Sequence, residues 1–294
     1  MRICTIILHY NDAELTMSYV NNLKKLKWMD YENTIIIVDN NSPDGSGAVL
    51  KHQYRDDNNV IVLLSQENVG FAKGNNLGII YARQKFNPDL YIISNDDIVI
   101  ENMDFPKKLV AEYNKSKFAV WGPDIFSTRR NSHQSPIRDE YINMDDLKKY
   151  IHDIDTKIGL LHFIDKLHIY NLLSRIKKKV GKRKDSKSYN LRQYGVVLQG
   201  AFFVLSNKYI EEYEDGLYPN TFLYMEEDIL NLRCKIKNLK VIYDPSIQVK
   251  HLEGGSTYKL LNDRCKKYIF ELEETKKSCL QMIMYITEIT HEKN

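Results

Sequence analysis

The chain has 294 residues, enough for one large α/β domain or two small ones, and its 43% of hydrophobic residues argues against wholesale disorder. Its formal net charge of +3 gives no reason to expect a nucleic-acid partner. No stretch of the sequence approaches the roughly 18 apolar residues of a membrane-spanning helix.

The amino-terminal segment and the cysteines bear on the cellular compartment. The apolar run within residues 1–10 is too short for a secretory signal peptide, and no small-residue cleavage site follows it. The cysteines are scattered without the spacing of a zinc site, at Cys4, Cys234, Cys265 and Cys279. We therefore expect a reduced, cytoplasmic location.

Residues 1–100 alternate short apolar runs with segments of helical periodicity. The apolar runs are rich in Ile, Val and Leu, and they predict strands at 3–10, 33–42, 59–66 and 89–94. Helices are predicted between them, at 12–26, 45–57 and 70–86. This order predicts an α/β fold with a Rossmann-like, mostly parallel central sheet and helices on both faces.

The second half of the chain has a less regular pattern. Residues 129–192 predict a helical insert around a basic block, Arg175–Lys187. The strand pattern then resumes, with a strand or hairpin in 195–206, a loop and helix in 220–238, and two short strands with a glycine turn in 240–256. Residues 258–290 predict a long amphipathic helix. We expect one domain over 1–257, including the insert, and a helical extension over 258–294.

Polar residues gather where the predicted strands end. They lie at His9–Asn11, Asp39–Asn41, Glu67–Asn68 and Asn95–Asp97. Open α/β sheets bind their ligands at the carboxyl ends of the strands. These four clusters therefore predict a ligand site at one edge of the sheet.

Adjacent carboxylates at 96 and 97 suit a hard cation. Oxygen ligands on a short loop are typical of Mg²⁺ or Mn²⁺ that is bound together with substrate phosphates. The alternative is that Asp96 and Asp97 cap a turn, since Asp and Asn are common turn formers. Asp39 at the end of a strand could accept hydrogen bonds from a base or ribose, whereas the run after it is typical of a turn.

The stretch ENVGFAKGNNLGI, residues 67–79, is glycine-spaced but is neither a P-loop nor a GxGxxG motif. Gly70 and Gly74 allow a close approach of backbone to a ligand. Lys73 and the side-chain amides of Asn75 and Asn76 could meet a diphosphate at the amino terminus of a helix.

The stretch FLYMEEDILNLR, residues 222–233, places Glu226, Glu227 and Asp228 on the first turn of a predicted helix. Acidic residues there complement the helix dipole. A carboxylate at this position could also take a proton from a hydroxyl group. Farther along, His251 precedes a glycine pair and is either structural or a metal ligand beside a carboxylate.

These motifs stand in the order found in a known enzyme family. They are LHYN, VDNNSPDG, ENVGFAKGNNLG, SNDD, FLYMEED and HLEGGS. The chain thereby resembles the inverting glycosyltransferases of family 2, which have the GT-A fold. It is most similar to their rhamnosyltransferase-like branch, which builds capsular or O-antigen polysaccharides. The resemblance covers residues 1 to 125 and 195 to 256.

The resemblance implies roles for individual residues. Asp97 and His251 would hold the metal ion, and Glu227 would be the catalytic base, with Asp228 as its rival. Asn95 stands where a strict DxD motif has its first aspartate. The residues implied in binding the nucleotide-sugar are Tyr10, Asn11, Asp39, Asn41, Asn68, Gly70, Lys73, Asn75, Asn76, Asn95, Asp96 and Glu226.

The resemblance also implies the reaction and the partners. A UDP- or dTDP-linked sugar would be the donor, with Mg²⁺ or Mn²⁺ on its diphosphate. The base would deprotonate a hydroxyl of a glycan acceptor, and one displacement would invert the anomeric carbon. Acceptors in this branch are often polyprenyl-diphosphate-linked, so the basic block at 175–187 could hold the enzyme on the anionic inner face of the cell membrane.

Three alternatives stay open at this point. A nucleotidyltransferase also combines an α/β fold with paired carboxylates, although it generally has a glycine-rich, basic signature that LHYNDAEL lacks. A non-catalytic member of the fold would hold a nucleotide-sugar or a partner enzyme, although its acidic residues should be eroded. The basic block could also be no more than a solvated surface.

Overall fold

The structure is a computed structural model that describes residues 1–166, 189–254 and 264–291. Within these residues the chain forms two compact units. The first unit holds residues 1–141, 189–222 and 226–254. The second unit holds residues 142–166, 223–225 and 264–291.

The strands of the first unit form one ten-stranded sheet. They are β1 Arg2–His9, β2 Glu32–Asp39, β3 Val60–Leu64, β4 Leu90–Asn95, β5 Ile98–Val99, β6 Val120–Ser127, β7 Ser132–His133, β8 Gln193–Tyr194, β9 Phe202–Ser206 and β10 Val241–His251. The four predicted amino-terminal strands are β1 to β4.

The sheet has the order β3-β2-β1-β4-β9-β6-β10-β5. Strands β1 to β4 are parallel, as predicted. Strand β9 runs antiparallel between β4 and β6, and β10 runs parallel to β6. The sheet is therefore mixed, and the predicted α/β fold is confirmed.

The helices of the first unit cover both faces of the sheet. Since both faces of the central strands are buried, consecutive residues pack in opposite directions: Ile7 lies in one core cluster with Leu23, and Ile6 lies in the other with Ile79. The helices are α1 Ala13–Lys25, α2 Ser46–Gln53, α3 Gly70–Phe86, α4 Phe105–Ser116, α6 Asn207–Glu212 and α7 Glu226–Ile236, with α5 Met144–Lys166 in the second unit.

The second unit is built on two long helices, α5 and α8 Arg264–His291. Their shared apolar cluster consists of Ile154, Leu161, Cys265, Ile269 and Leu272. Lys276 of α8 also donates a hydrogen bond to Asp155 of α5. The predicted basic block at 175–187 lies outside the described residues. Across the ranges that the structure describes, we find no helix with the length and apolarity needed to cross a membrane.

Two segments differ from the sequence-based expectation. Residues 240–256 were expected to hold two strands, which is wrong: Val241–His251 is a single strand whose register against β6 shifts between Asp244 and Gln248. Pro245 lies in that shift, and because proline has no N–H to donate, a bulge accommodates it without ending the strand.

The beginning of the expected helical insert is extended. Residues 129–141 contain β7, and Arg138 forms a bridge with Val197. The backbone N–H of Ile137 donates to the carbonyl of Val197 at 2.8 Å. Pro136 disfavours a helix here, and the helical part begins only at Met144. This extended segment supplies side chains to the candidate site.

Candidate functional site

The strand registers bring the predicted polar residues to one edge of the sheet. His9 at the end of β1 is paired with Asp39 at the end of β2, and Leu8 is paired with Asn95 at the end of β4. Asp39 is also level with Leu64 of β3. The loops that follow these strands therefore share one edge, where we place the candidate site.

The loops after β1 and β2 are joined through Ser42. Its hydroxyl donates to Oδ1 of Asp39 at 2.5 Å and accepts a hydrogen bond from the backbone N–H of Asn11 at 2.9 Å. Oδ1 of Asn11 is buried and finds no hydrogen-bond partner among the described residues, so it remains available to a ligand. Tyr10 is half-buried beside it, and Asn41 is exposed.

Beneath these loops lies a buried hydrogen-bond network that the sequence did not assign to the site. His9 is fully buried, with Nδ1 2.7 Å from the hydroxyl of Thr16 and Nε2 2.7 Å from the hydroxyl of Ser46. Thr16 donates to Oδ2 of Asp96 at 2.7 Å, and Ser46 donates to Asp44 at 2.5 Å. His9 thereby connects the loop after β2 with the loop after β4.

The two adjacent aspartates have different environments. Asp96 is directed toward Thr16 and His9, and burial raises the pKa of its carboxyl above the ordinary value. We had expected Asp96 to bind the donor, but its carboxylate is used inside the fold. Asp97 is 3% exposed, and its Oδ1 accepts no hydrogen bond from the residues that the structure describes. An unpartnered buried carboxylate oxygen is costly, so this atom favours a cation.

His251 ends β10 beside Asp97. Its Nε2 lies 3.2 Å from Oδ1 of Asp97, and its Nδ1 lies 2.7 Å from Oε1 of Gln134. The backbone N–H of Leu252 also donates to the carbonyl of Asp97 at 2.9 Å. No cluster of three or more His, Cys, Asp or Glu side chains suited to a metal is found within the described ranges.

The pair nevertheless fits a divalent cation that is also bound by a substrate diphosphate. Mg²⁺ and Mn²⁺ commonly take only one or two protein ligands when phosphate oxygens supply others. The carboxylate of Asp97 suits either ion, and imidazole suits the softer transition metals. The observation that supports the fit is the unpartnered Oδ1 of Asp97 facing a ring nitrogen.

The start of α3 is packed against the segment before α7. Gly70 has φ +82°, and a Cβ there would lie 2.7 Å from Cδ2 of Phe222. The N–H of Phe71 donates to the carbonyl of Phe222 at 2.7 Å. Oδ1 of Asn68 accepts hydrogen bonds from the N–H of Gly70 and from the side chain of Asn40. Gly70 therefore allows α3 to begin in close contact with Phe222.

Two asparagines of α3 that were expected to contact the donor are used by the protein itself. Asn76 is 5% exposed, and its side chain makes both hydrogen bonds to the backbone of Leu217, at 2.7 and 2.8 Å. Asn75 is fully buried and donates to the carbonyl of Phe71, while its Oδ1 has no hydrogen-bond partner among the described residues, so a ligand contact at Asn75 stays a prediction. We correct the expectation accordingly: the structure does not leave the amide of Asn76 free for a diphosphate. Lys73 is exposed.

The acidic residues at the start of α7 differ in their partners. Asp228 is 2% exposed, and Nη1 of Arg138 donates to both of its oxygens, at 2.8 and 2.9 Å. Glu227 is half-buried and accepts a hydrogen bond from the N–H of Gly200 at 3.1 Å. Burial and the charge of Asp228 raise the pKa of Glu227. A general base needs an accessible lone pair and a raised pKa, which favours Glu227 over Asp228.

Glu226 is a buried acid beside them. It is 8% exposed, and its Oε1 has no hydrogen-bond partner in the part of the chain that is described. Burial, and then the charge of Glu227, raise its pKa well above the ordinary value. Burial and the neighbouring charge thus disfavour the ionised form of Glu226.

Residues 200 and 201 connect Glu227 to the loop that carries Asp97. The N–H of Gly200 binds Glu227, and the carbonyl of Ala201 accepts from the N–H of Asn95 at 2.9 Å. A Cβ at position 200 would lie 2.7 Å from Oε1 of Glu227, so a glycine suits this close approach. The candidate base and the loop that carries Asp97 are therefore held by adjacent peptide groups.

Several residues of the site were missed by the sequence analysis. His9 lies inside a quoted motif but was not assigned a role, whereas 129–141 shows no motif at all. The missed residues are Thr16, Gln134 and Arg138.

Comparisons with known proteins identify the family of the chain and the fold that carries the candidate site. The profile described as Glycosyl transferase family 2 matches residues 4–175, more than half of the chain. A curated relative is the glycosyltransferase GlyG of Streptococcus pneumoniae serotype 4 (strain ATCC BAA-334 / TIGR4), with 33% identity over 101 residues. That match spans 34% of this chain and only 32% of GlyG.

Solved structures show the same fold at low sequence identity. S. aureus TarS 1–349 superposes with a TM-score of 0.53 at 12% identity over 86% of this chain and 60% of that one. Its complex with UDP-GlcNAc gives 0.54 at 13% identity, over 92% and 64%. GalNAc-T7 with UDP, GalNAc and Mn²⁺ also gives 0.54, at 11% identity, over 92% and 48%. The predicted GT-A fold is confirmed by these similarities.

Proposed function

The chain belongs to glycosyltransferase family 2, and from this premise we propose that it transfers a sugar from a UDP- or dTDP-linked donor to a glycan hydroxyl, with inversion. The observation that carries the proposal is the connection through residues 200 and 201. It holds a carboxylate of raised pKa, Glu227, next to the loop of Asp97. An inverting transfer needs a base and a diphosphate-binding site in such proximity.

The donor is assigned to the edge of the sheet where β1, β2 and β4 end. Asn11 offers an unpartnered oxygen there, and Tyr10 and Asp39 flank it. Two structural relatives support a uridine nucleotide: a TarS structure contains UDP-GlcNAc, and a GalNAc-T7 structure contains UDP. Tyr10, Asn11 and Asp39 would hold the base and ribose.

Asp97 and His251 would hold Mg²⁺ or Mn²⁺. When bound, such an ion supplies positive charge that stabilises the departing nucleoside diphosphate. The two side chains approach to 3.2 Å, and the hydrogen bond from the N–H of Leu252 to the carbonyl of Asp97 joins the end of β10 to the loop after β4. This proximity supports a ligand pair that is formed before the donor binds.

Glu227 would take the proton of the acceptor hydroxyl as that oxygen attacks the anomeric carbon. The pKa of Glu227 is raised above that of an ordinary glutamate. A general base works best when its pKa is close to the working pH. Asp228 would not compete for this role, because Arg138 occupies both of its oxygens. Arg138 thereby holds the carboxylate of Asp228 in place.

The acceptor and location follow the resemblance to capsular and O-antigen enzymes. A growing surface polysaccharide, carried on a polyprenyl diphosphate, would be elongated by a cytoplasmic enzyme at the inner face of the membrane. Lys and Arg residues near an anionic surface contribute about 1 kcal/mol each. The basic block at 175–187 would supply that attraction.

Product analysis tests the proposal. The protein is incubated with each candidate donor, an acceptor glycan and Mn²⁺, and released nucleotides are separated by chromatography. A transferase releases a nucleoside diphosphate, and NMR of the new linkage shows the anomeric configuration opposite to that of the donor. Released pyrophosphate would instead identify a nucleotidyltransferase, and retained configuration would contradict the single displacement.

A further inference from the structure

We propose that Gln134 and Glu253 form a positioning relay that fixes the proton of His251 on Nδ1, so that Nε2 faces Asp97 as a metal ligand. The inference rests on the proposed function, because it concerns the same metal site. Gln134 belongs to no motif from which the function was read, and Glu253 lies within HLEGGS at a position to which no role was assigned. Gln134 lies in the extended segment after β7, and Glu253 follows β10.

The direction of each hydrogen bond follows from the chemistry of its acceptor. Nε2 of Gln134 lies 2.6 Å from Oε1 of Glu253, and a carboxylate only accepts. The amide of Gln134 is therefore oriented with its oxygen toward His251, 2.7 Å from Nδ1. An amide oxygen also only accepts, so Nδ1 of His251 carries the proton.

This proton placement determines what Nε2 presents. In a neutral imidazole with its proton on Nδ1, Nε2 has a lone pair. That lone pair lies 3.2 Å from Oδ1 of Asp97, which is buried and accepts no hydrogen bond within the described residues. Two lone pairs at this separation repel unless a cation lies between them or beside them. The relay therefore prepares a ligand pair.

Glu253 is itself held in place. Its side chain is 6% exposed, and Nε of Arg130 lies 2.9 Å from its Oε1. Burying a carboxylate is costly unless it is paired, and Arg130 supplies the charge. Arg130 lies on the connection between β6 and β7, the same connection that leads to Gln134. The chain of contacts thus runs from Arg130 through Glu253 and Gln134 to His251.

Exchanging the amide of Gln134 with the carboxylate of Glu253 distinguishes a hydrogen-bonded relay from a purely steric role of these side chains. Gln134→Met removes both hydrogen bonds. In the double variant Gln134→Glu with Glu253→Gln, the side chain at position 134 still accepts from Nδ1 of His251. The amide at position 253 then donates to the carboxylate at position 134, so both hydrogen bonds are kept. The control is Gln248→Met, because Nε2 of Gln248 donates to Asp124 at 2.6 Å in the same sheet but away from His251.

The first readout is Mn²⁺ affinity in the presence of UDP, measured by electron paramagnetic resonance of free Mn²⁺. Loss of a group that orients a metal ligand typically costs about 10–100-fold in metal affinity. We expect that loss for Gln134→Met, recovery in the swapped double variant, and no change for Gln248→Met. Melting temperatures without metal check that each variant folds.

The second readout needs no metal. Nitrogen-15 NMR of the imidazole should show Nδ1 protonated and Nε2 unprotonated in the wild type, and a mixture of tautomers in Gln134→Met. A wild-type His251 with its proton on Nε2 would overturn the proposal, as would unchanged Mn²⁺ affinity in Gln134→Met. Transfer activity in a wild-type protein that binds no Mn²⁺ would overturn the relay and leave the transferase standing.

Discussion

Replacing the candidate base separates Glu227 from Asp228. Glu227→Gln keeps an oxygen that can accept from the N–H of Gly200, so the local geometry should persist. It replaces the basic carboxylate with an amide that cannot take the acceptor proton. General-base catalysis contributes about 10²–10⁴ in rate, which corresponds to roughly 2.7–5.4 kcal/mol of barrier at 1.36 kcal/mol per tenfold. We expect turnover to fall by that factor while the donor still binds.

The same variant should not lose stability. Burial and the nearby charge of Asp228 raise the pKa of Glu227 in the folded state, so its ionised form is disfavoured there at neutral pH. A neutral amide avoids this cost. The melting temperature of Glu227→Gln should therefore equal or exceed that of the wild type, even though the enzyme is slow.

Asp228→Asn is the matched variant with the opposite expectation. It leaves Arg138 facing an amide in place of a carboxylate that receives two hydrogen bonds. Loss of a buried, charge-assisted contact costs about 1–3 kcal/mol, so the melting temperature should fall. Released nucleoside diphosphate is measured by chromatography under saturating donor. Near-full turnover in Glu227→Gln, or a loss of two orders of magnitude confined to a stable Asp228→Asn, would refute the assignment.

Three further predictions concern the support of the site. His9→Leu removes one hydrogen bond from each of the buried hydroxyls of Thr16 and Ser46, which keep their bonds to Asp96 and Asp44. Each lost hydrogen bond should cost about 0.5–1.5 kcal/mol, and an unchanged urea midpoint would contradict the network. Gly70→Ala should lower the melting temperature, because the φ of +82° at this position and its contact with Phe222 exclude a side chain. The control is Gly159→Ala in α5, which has open space around it and should leave the melting temperature unchanged or raise it. Glu226→Gln should raise the free energy of unfolding most at high pH and least near pH 5. Because the pKa of Glu226 is raised in the folded state, the wild type gains stability as the pH falls through that pKa, whereas the variant does not. A pH-independent difference between the two proteins in urea titrations would contradict this.

The parts predicted well are those with a local signature. The apolar runs of β1, β2 and β4 are buried on both faces and are followed by polar residues, and this pattern is visible within eight residues of sequence. The mixed topology is not visible there, because nothing local to Phe202–Ser206 indicates that β9 inserts antiparallel between β4 and β6.

The parts missed depend on contacts between distant segments. Gln134 reaches His251 across 117 positions, and Arg138 reaches Asp228 across 90. A lone Gln or Arg in a segment without periodicity carries no sign of such a partner. The asparagines of α3 show the reverse error, since the amide of Asn76 suggested a ligand contact but binds the backbone of Leu217.

The most direct test of a metal-assisted nucleotide-sugar site is thermal unfolding with UDP, dTDP and their sugars, each with and without Mn²⁺. A ligand at 100 times its Kd stabilises the folded state by about 2.7 kcal/mol. We expect a rise in melting temperature that needs both a nucleotide and Mn²⁺, and that disappears in Asp97→Ala. A nucleotide-dependent rise of the same size in Asp97→Ala, or no rise with any nucleotide, would contradict the account.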